Sequence, residues 1–181
     1  MGPLTVLTAA LERRDPYTRG HCDRVTTLAR TLAAQLACDR AELASIELGG
    51  PVHDIGKLSV PDDVLLKPGR LDEDELEQIR THPTEGARIL RGIRSLRAAV
   101  PCVLHHHERW DGGGYPAGLA GEEIPKPARI LAVADAFDAM TSARPYRDAL
   151  PVAVALEEVR RCAGTQFDPE VSAAFVAWAA A

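Results

Sequence analysis

Several things are missing from this chain, and each absence closes off a class of protein. Aromatic residues make up only 4% of its 181 residues. No apolar run approaches the ~20 residues of a membrane-spanning helix. The opening MGPLTVLTAALERRD has no basic region ahead of its apolar stretch, as a secretory signal would. Val6 stands where N-myristoylation needs Ser or Thr. Cys22, Cys38, Cys102 and Cys162 form no Cys-x-x-Cys pair, which points to reduced thiols and a cytoplasmic location. There is no GxxxxGK[ST] phosphate loop and no serine or cysteine in a triad-like context. A net charge of −5 gives no basic field for gripping duplex nucleic acid.

What is present favours helix. Apolar residues reach 46% and charged residues 26%, with Ala, Leu, Arg and Glu dominating. A chain of this length forms one domain that buries roughly two-thirds of its unfolded surface. Residues 2–14, 18–37 and 40–50 read as helices, the second with Val25, Leu28, Leu32 and Leu36 along one stripe. PDDVLLKPGRLDEDE reads as a connector holding at most one helical turn. DEDELEQIR then opens a helix whose first-turn acids suit the helix dipole, and His82-Pro83 interrupts it. TEGARILRGI, SLRAAVPCVLHHHE, PARILAVADAFDAM, PVAVALEEVRRCA and DPEVSAAFVAWAA continue the series. No segment alternates with period two, so the expectation is one all-α domain over residues 1–181.

The chemistry-bearing residues stand out against this background. In GGPVHDIGK, His53 and Asp54 are adjacent and diverge by ~100° on a helix, so one centre can use both only from between their directions. Lys57 follows His53 by one turn and reaches toward the same pocket. Asp135 and Asp138 sit three apart in the otherwise apolar RILAVADAFDAM, and burying such carboxylates is costly unless they are paired or metal-bound. His82 lies at the proline kink, His21 one turn into the second helix, and His105, His106 and His107 end another helix. Six histidines at helix ends or in polar gaps, with Asp54 and Asp135, make the ligand set of a two-metal site. Imidazole with carboxylate suits Mn, Fe or Zn better than Mg or Ca. Two such ions ~3.5–4 Å apart, with a bridging carboxylate and an acidified bridging water, are suited to hydrolysing a phosphate ester.

HDIGK, HHERWDGGGYP and ADAFDAMTSARPYR together resemble the HD-GYP family, a branch of the HD-domain metal-dependent phosphohydrolases, over about residues 15–170. The resemblance implies an HD-domain helical bundle with a C-terminal helical extension and hydrolysis of cyclic di-GMP to linear pGpG or on to GMP. It also implies two divalent ions, iron or manganese foremost, with zinc, cobalt or nickel as other fits. The implied ligands are His21, His53, Asp54, His82, His106, His107 and Asp135, with Asp54 bridging. Lys57 would contact the scissile phosphate, Arg144 and Arg147 the substrate's phosphate or guanine groups, and Asp138 would support the ligands or proton transfer. The DGGGYP loop with Tyr115 would rim the substrate pocket, and the resemblance extends to sensory or receiver domains and cyclase-domain partners.

Two positions depart from the family pattern. Tyr17 stands where members with three metals carry glutamate, hence the expectation of two. Gly49-Gly50-Pro51 precedes the metal pair, and inside a helix these would cost ~5 kcal/mol, so the helix should stop or kink there. Two other readings follow: a phosphohydrolase of another nucleotide, cyclic or not, and a metal-binding but inactive signalling module.

Overall fold

A computed structural model of the chain describes residues 2–15, 18, 20–143 and 148–180. It is helical, and no strand occurs among the described residues. The α-helices are α1 (Pro3–Arg14), α2 (His21–Gln35), α3 (Arg40–Gly49), α4 (Asp62–Leu65) and α5 (Glu73–Arg80), then α6 (His82–Arg91), α7 (Val100–His105), α8 (Lys126–Thr141), α9 (Val152–Arg161) and α10 (Pro169–Ala179). Tight 3₁₀ turns at Gly50–Val52, Ile55–Ser59, Arg94–Ala99 and Gly121–Glu123 link them.

Local chemistry explains the boundaries. Asp39 with Glu42, and Asp72 with Glu75, form reciprocal capping boxes that start α3 and α5. Asp168 caps α10 by accepting from the Glu170 and Val171 amides. Prolines sit in the first turns of α1, α6, α7, α8 and α10, where a missing amide costs nothing. The PDDVLLKPGR connector contributes the single turn α4, as its composition suggests. The SLRAAVPCVLHHHE stretch departs from expectation: it is a 3₁₀ segment over Arg94–Ala99, then α7, which ends at His105. His106 and His107 fall in the turn beyond it.

Two apolar clusters hold the bundle. One joins α2, α3, α8, α9 and α10 through buried Val25, Leu32, Ile46, Leu131, Val159 and Phe175. The other joins α1, α6, α7 and the turns around residue 55 through Leu11, Val52, Ile55, Leu90 and Val103. Fully burying each large side chain is worth about 1.5–3 kcal/mol. Helix α2 serves both clusters, since Cys22 packs in the second and Val25 in the first. The final helices α9 and α10 pack on one another and on α8.

The Gly49-Gly50-Pro51 stretch has a packing reason. Helix α3 does end at Gly49, but both glycines keep right-handed backbone angles and the chain winds on as a 3₁₀ turn. A Cβ on Gly50 would lie 2.4 Å from Thr26 Oγ1, and one on Gly49 would lie 3.1 Å from Cys102 Cβ. The glycines let α3 and the turn after it sit against α2 and α7, directly ahead of His53 and Asp54.

Candidate metal centre

Three helices and two turns converge on one buried spot. His21 opens α2, His53 and Asp54 lie between two 3₁₀ turns, and His82 opens α6. His106 and His107 follow α7, and Asp135 lies on α8. His21, His53, Asp54, His82 and His106 are each at most 5% exposed. Five histidine rings form a continuous chain, with centroids 5.4 Å apart for His21 and His53, 5.3 Å for His53 and His106, 5.3 Å for His82 and His106, and 4.1 Å for His106 and His107.

The ring orientations are set by what holds each Nδ1. His53 donates to the Gly50 carbonyl (2.8 Å), His82 to Ile79 (2.8 Å) and His106 to Val103 (2.7 Å), each three residues back. A carbonyl can only accept, so Nδ1 carries a proton and Nε2 is the ring nitrogen that points inward. His21 instead donates Nδ1 to Asp138 Oδ2 at 2.7 Å, and Arg24 grips the same carboxylate at 2.6 and 2.9 Å. A carboxylate behind an imidazole in this way fixes the tautomer and raises basicity of a metal-binding histidine.

Asp54 sits in the middle. Its Oδ1 lies 3.3 Å from His82 Nε2, while Oδ2 lies 3.7 Å from His53 Nε2 and 2.6 Å from Lys57 Nζ. Donor atoms gather in two sets that share it: Asp54, His82, His106 and His107 on one side, and His21, His53 and Asp54 on the other. Asp135 Oδ1 stands 3.2 Å from His21 Nε2 and 4.0 Å from His53 Nε2. His53 Nε2 is fully buried and has no hydrogen-bond partner. Leaving a buried polar atom unsatisfied is costly, and a cation between His53, Asp54 and Asp135 would satisfy it. The donor set fits divalent transition metals.

The two sides differ electrostatically. Burial drives His82 down to about 4, with His107 and Lys57 adding to it against the pull of Asp54. Burial likewise takes His106 well below its ordinary value and lowers His107. Burial opposes charge on His21 and His53 too, but it is outweighed on His21 by hydrogen bonds with Asp135 and Asp138, and on His53 by the charge of Asp54 with smaller contributions from Cys22 and Asp135, raising each to about 9. Burial would raise Asp54, yet the Lys57 ammonium and the surrounding histidines hold it well below the usual carboxylate range. Asp135 is held low mainly by its hydrogen bond with His21, against burial. Burial disfavours the Lys57 ammonium, but Asp54 and Asp15 keep it charged, and Nζ lies 3.5 Å from Asp15 Oδ2.

The loop after α7 closes one side. Tyr115 stacks on His107 with centroids 4.9 Å apart and an interplanar angle of 27°. Its phenol is pushed up to about 12, by burial first and then by Asp54. The Tyr115 amide donates to the His107 carbonyl at 3.2 Å. A Cβ on Gly114 would come within 2.6 Å of that same oxygen, so only glycine fits. Glu108, 4% exposed, accepts from the Ala117 amide at 2.8 Å and the Leu119 amide at 3.2 Å, and faces His105 Nδ1 at 3.4 Å.

The structure therefore gathers His21, His53, Asp54, His82, His106, His107 and Asp135 at one centre, with Asp138 behind His21 and Lys57 on Asp54. Arg144, Arg147 and Tyr17 lie outside the described residues. Sequence reasoning passed over Glu108, Arg24 and Asp15. Each had a signal: Glu108 ends the HHE triplet, Arg24 lies one turn after His21, and Asp15 begins DPYTRGH.

A helical domain carrying a buried centre of histidines and aspartates around a His-Asp pair defines a class of helical fold whose centre could hold metal ions. A profile described as HD domain matches residues 5–171. The chain belongs to the HD-domain family. It is similar to the cyclic di-GMP phosphodiesterase response regulator RpfG of Xanthomonas campestris pv. campestris (strain 8004), with 45% identity over 168 residues, 92% of this chain and 44% of the relative. It is also similar to 3'3'-cGAMP-specific phosphodiesterase 3 of Vibrio cholerae serotype O1, with 37% identity over 171 residues, 94% of this chain and 37% of the relative. The chain thus spans less than half the length of these curated relatives. Its fold is like that of V-cGAP3, a cyclic GMP-AMP-specific phosphodiesterase of V. cholerae (TM-score 0.76, 22% identity, 98% of this chain and 48% of that one). No helix among the described residues is long and apolar enough to cross a membrane.

Proposed function

We propose that the domain is a metal-dependent phosphodiesterase that hydrolyses cyclic di-GMP to linear pGpG, and in further turnover to GMP, on two divalent ions. The observation that carries this reading is the position of Asp54, whose two oxygens face different histidine groups. His82, His106 and His107 lie toward one side, and His21 and His53, with Asp135, toward the other. Iron or manganese fits the donors, with zinc, cobalt or nickel as other fits. Divalent ions held there would supply Lewis-acid chemistry for cleaving a phosphodiester.

The protein's own residues have distinct tasks. The backbone carbonyls of Gly50, Ile79 and Val103 keep three Nε2 lone pairs aimed inward, and Asp138 does so for His21. Lys57 puts a fixed positive charge beside Asp54, where an anionic phosphodiester has to sit. Tyr115 screens the His107 face and offers a ring for a base to lie against. Arg144 and Arg147 are assigned to the substrate's phosphate or guanine groups through the RPYR match alone. A receiver or sensory domain, or a cyclase-domain partner, is part of the same reading, and one relative is itself named a response regulator.

A second reading has its own support: the relative named for 3'3'-cGAMP shares 37% of residues over 94% of this chain, so a mixed dinucleotide is the alternative substrate. Incubating Mn- or Fe-loaded protein with each dinucleotide, separating products and counting metal on the same sample tests both. The expected result is linear pGpG or GMP with about two metals per chain. Faster turnover of cGAMP would replace the substrate assignment, and two metals with neither dinucleotide cleaved would overturn the enzymatic one.

A further inference from the structure

We propose that the open cleft between α5, α6 and the DGGGYP loop is the subsite for one guanine base, read by Arg80 and Glu77; this rests on the cyclic-dinucleotide reading and names the residues that choose the base. The cleft has a volume of about 530 Å³, within the range of ligand pockets, and its walls include Glu77, Arg80, Thr84, Glu85, Gly114 and Tyr115. It adjoins the metal centre through Tyr115, which faces the cleft and stacks on His107. The Arg80 guanidinium lies over the Tyr115 ring, 5.9 Å from its centroid. With the guanidinium turned from the ring toward a base edge, the phenol offers a base a flat partner of the kind that stacks on nucleobases.

The charges select a base over a phosphate. Two carboxylates, Glu77 and Glu85, line the cleft beside one arginine, an arrangement that repels a phosphodiester. Glu85 is engaged by Arg88 at 2.8 Å, while Glu77 and Arg80 pair with each other at 3.2 Å and remain exposed. An exposed pair of this kind is cheap to reopen. Opened, it presents two donors from the guanidinium and two acceptors from the carboxylate. Guanine carries the matching set, with O6 and N7 accepting from arginine and N1–H and the 2-amino group donating to a carboxylate. Adenine keeps N7 but carries an amino donor where O6 would accept, and it lacks the N1–H and 2-amino donors, so it offers neither residue a paired set.

The test compares wild type, Arg80→Ala and Glu77→Gln, all metal-loaded, on cyclic di-GMP, cyclic di-AMP and bis(p-nitrophenyl) phosphate, a small diester with no base. Arg80→Ala should raise KM for cyclic di-GMP about tenfold with little change in kcat, and should lower the ratio of cyclic di-GMP to aryl-diester kcat/KM about as much. Glu77→Gln should narrow the preference for cyclic di-GMP over cyclic di-AMP about tenfold. Unchanged KM and unchanged preference would overturn the assignment. So would an equal loss on the aryl diester, which reports general damage rather than a lost base contact. If wild type cleaves the aryl diester but no cyclic dinucleotide, calorimetric affinities decide: weaker cyclic di-GMP binding by Arg80→Ala keeps the subsite while the proposed reaction falls, and no binding by wild type overturns both.

Discussion

The two sides of Asp54 are built differently. On the His82, His106 and His107 side, imidazoles crowd together with Asp54 as the one carboxylate in the set, and burial keeps them neutral. On the His21 and His53 side, Asp135 and Asp138 bracket the His21 ring, and carboxylate charge outweighs burial. Neutral histidines aimed by backbone carbonyls form a ready set of lone pairs. A carboxylate-rich set attracts a cation more strongly through charge. If each side of the shared aspartate holds an ion, the contrast predicts that the His21 side holds its ion more tightly.

The largest effect should come from removing what the two sides share. Asp54→Ala should lose most metal from both sides and reduce turnover to background, as read by metal analysis and product chromatography. Normal turnover in that variant would break the comparison outright. Next come one-sided variants: His107→Ala should retain about one metal per chain, the tightly held one, whereas His21→Ala should weaken the tighter step of a metal titration. Identical titrations for both variants would mean the sides are not distinct. Asp138→Asn keeps the shape but weakens the carboxylate behind His21, and should cost about 10–100-fold in metal affinity on that side. The smallest effect should come from Gly50→Ala, which pushes a Cβ toward Thr26 Oγ1 and should destabilise the fold by about 1–3 kcal/mol in denaturant unfolding. Thr26→Ala in the same chain should restore part of that loss.

How much of this was legible in the sequence depended on range. Helix starts with local grammar, such as Asp39–Glu42 and Asp72–Glu75, could be read from neighbours in the chain. The gathering of His21, His53, His82 and His106 was suggested by residue type, but their convergence is long-range and only packing reveals it. Glu108 was missed because a glutamate beside a histidine run says nothing of the Ala117 and Leu119 amides that it holds. Gly49-Gly50-Pro51 was read as a cost because propensity describes an isolated helix. Thr26 and Cys102, far away in the chain, turn the two glycines into a close contact between helices.

Anomalous diffraction from crystals of the manganese-loaded domain tests the shared-aspartate centre most directly. Two peaks flanking the Asp54 carboxylate are expected, one among His82, His106 and His107 and one toward His21, His53 and Asp135. A single peak, or two peaks that leave Asp54 uncoordinated, would contradict it.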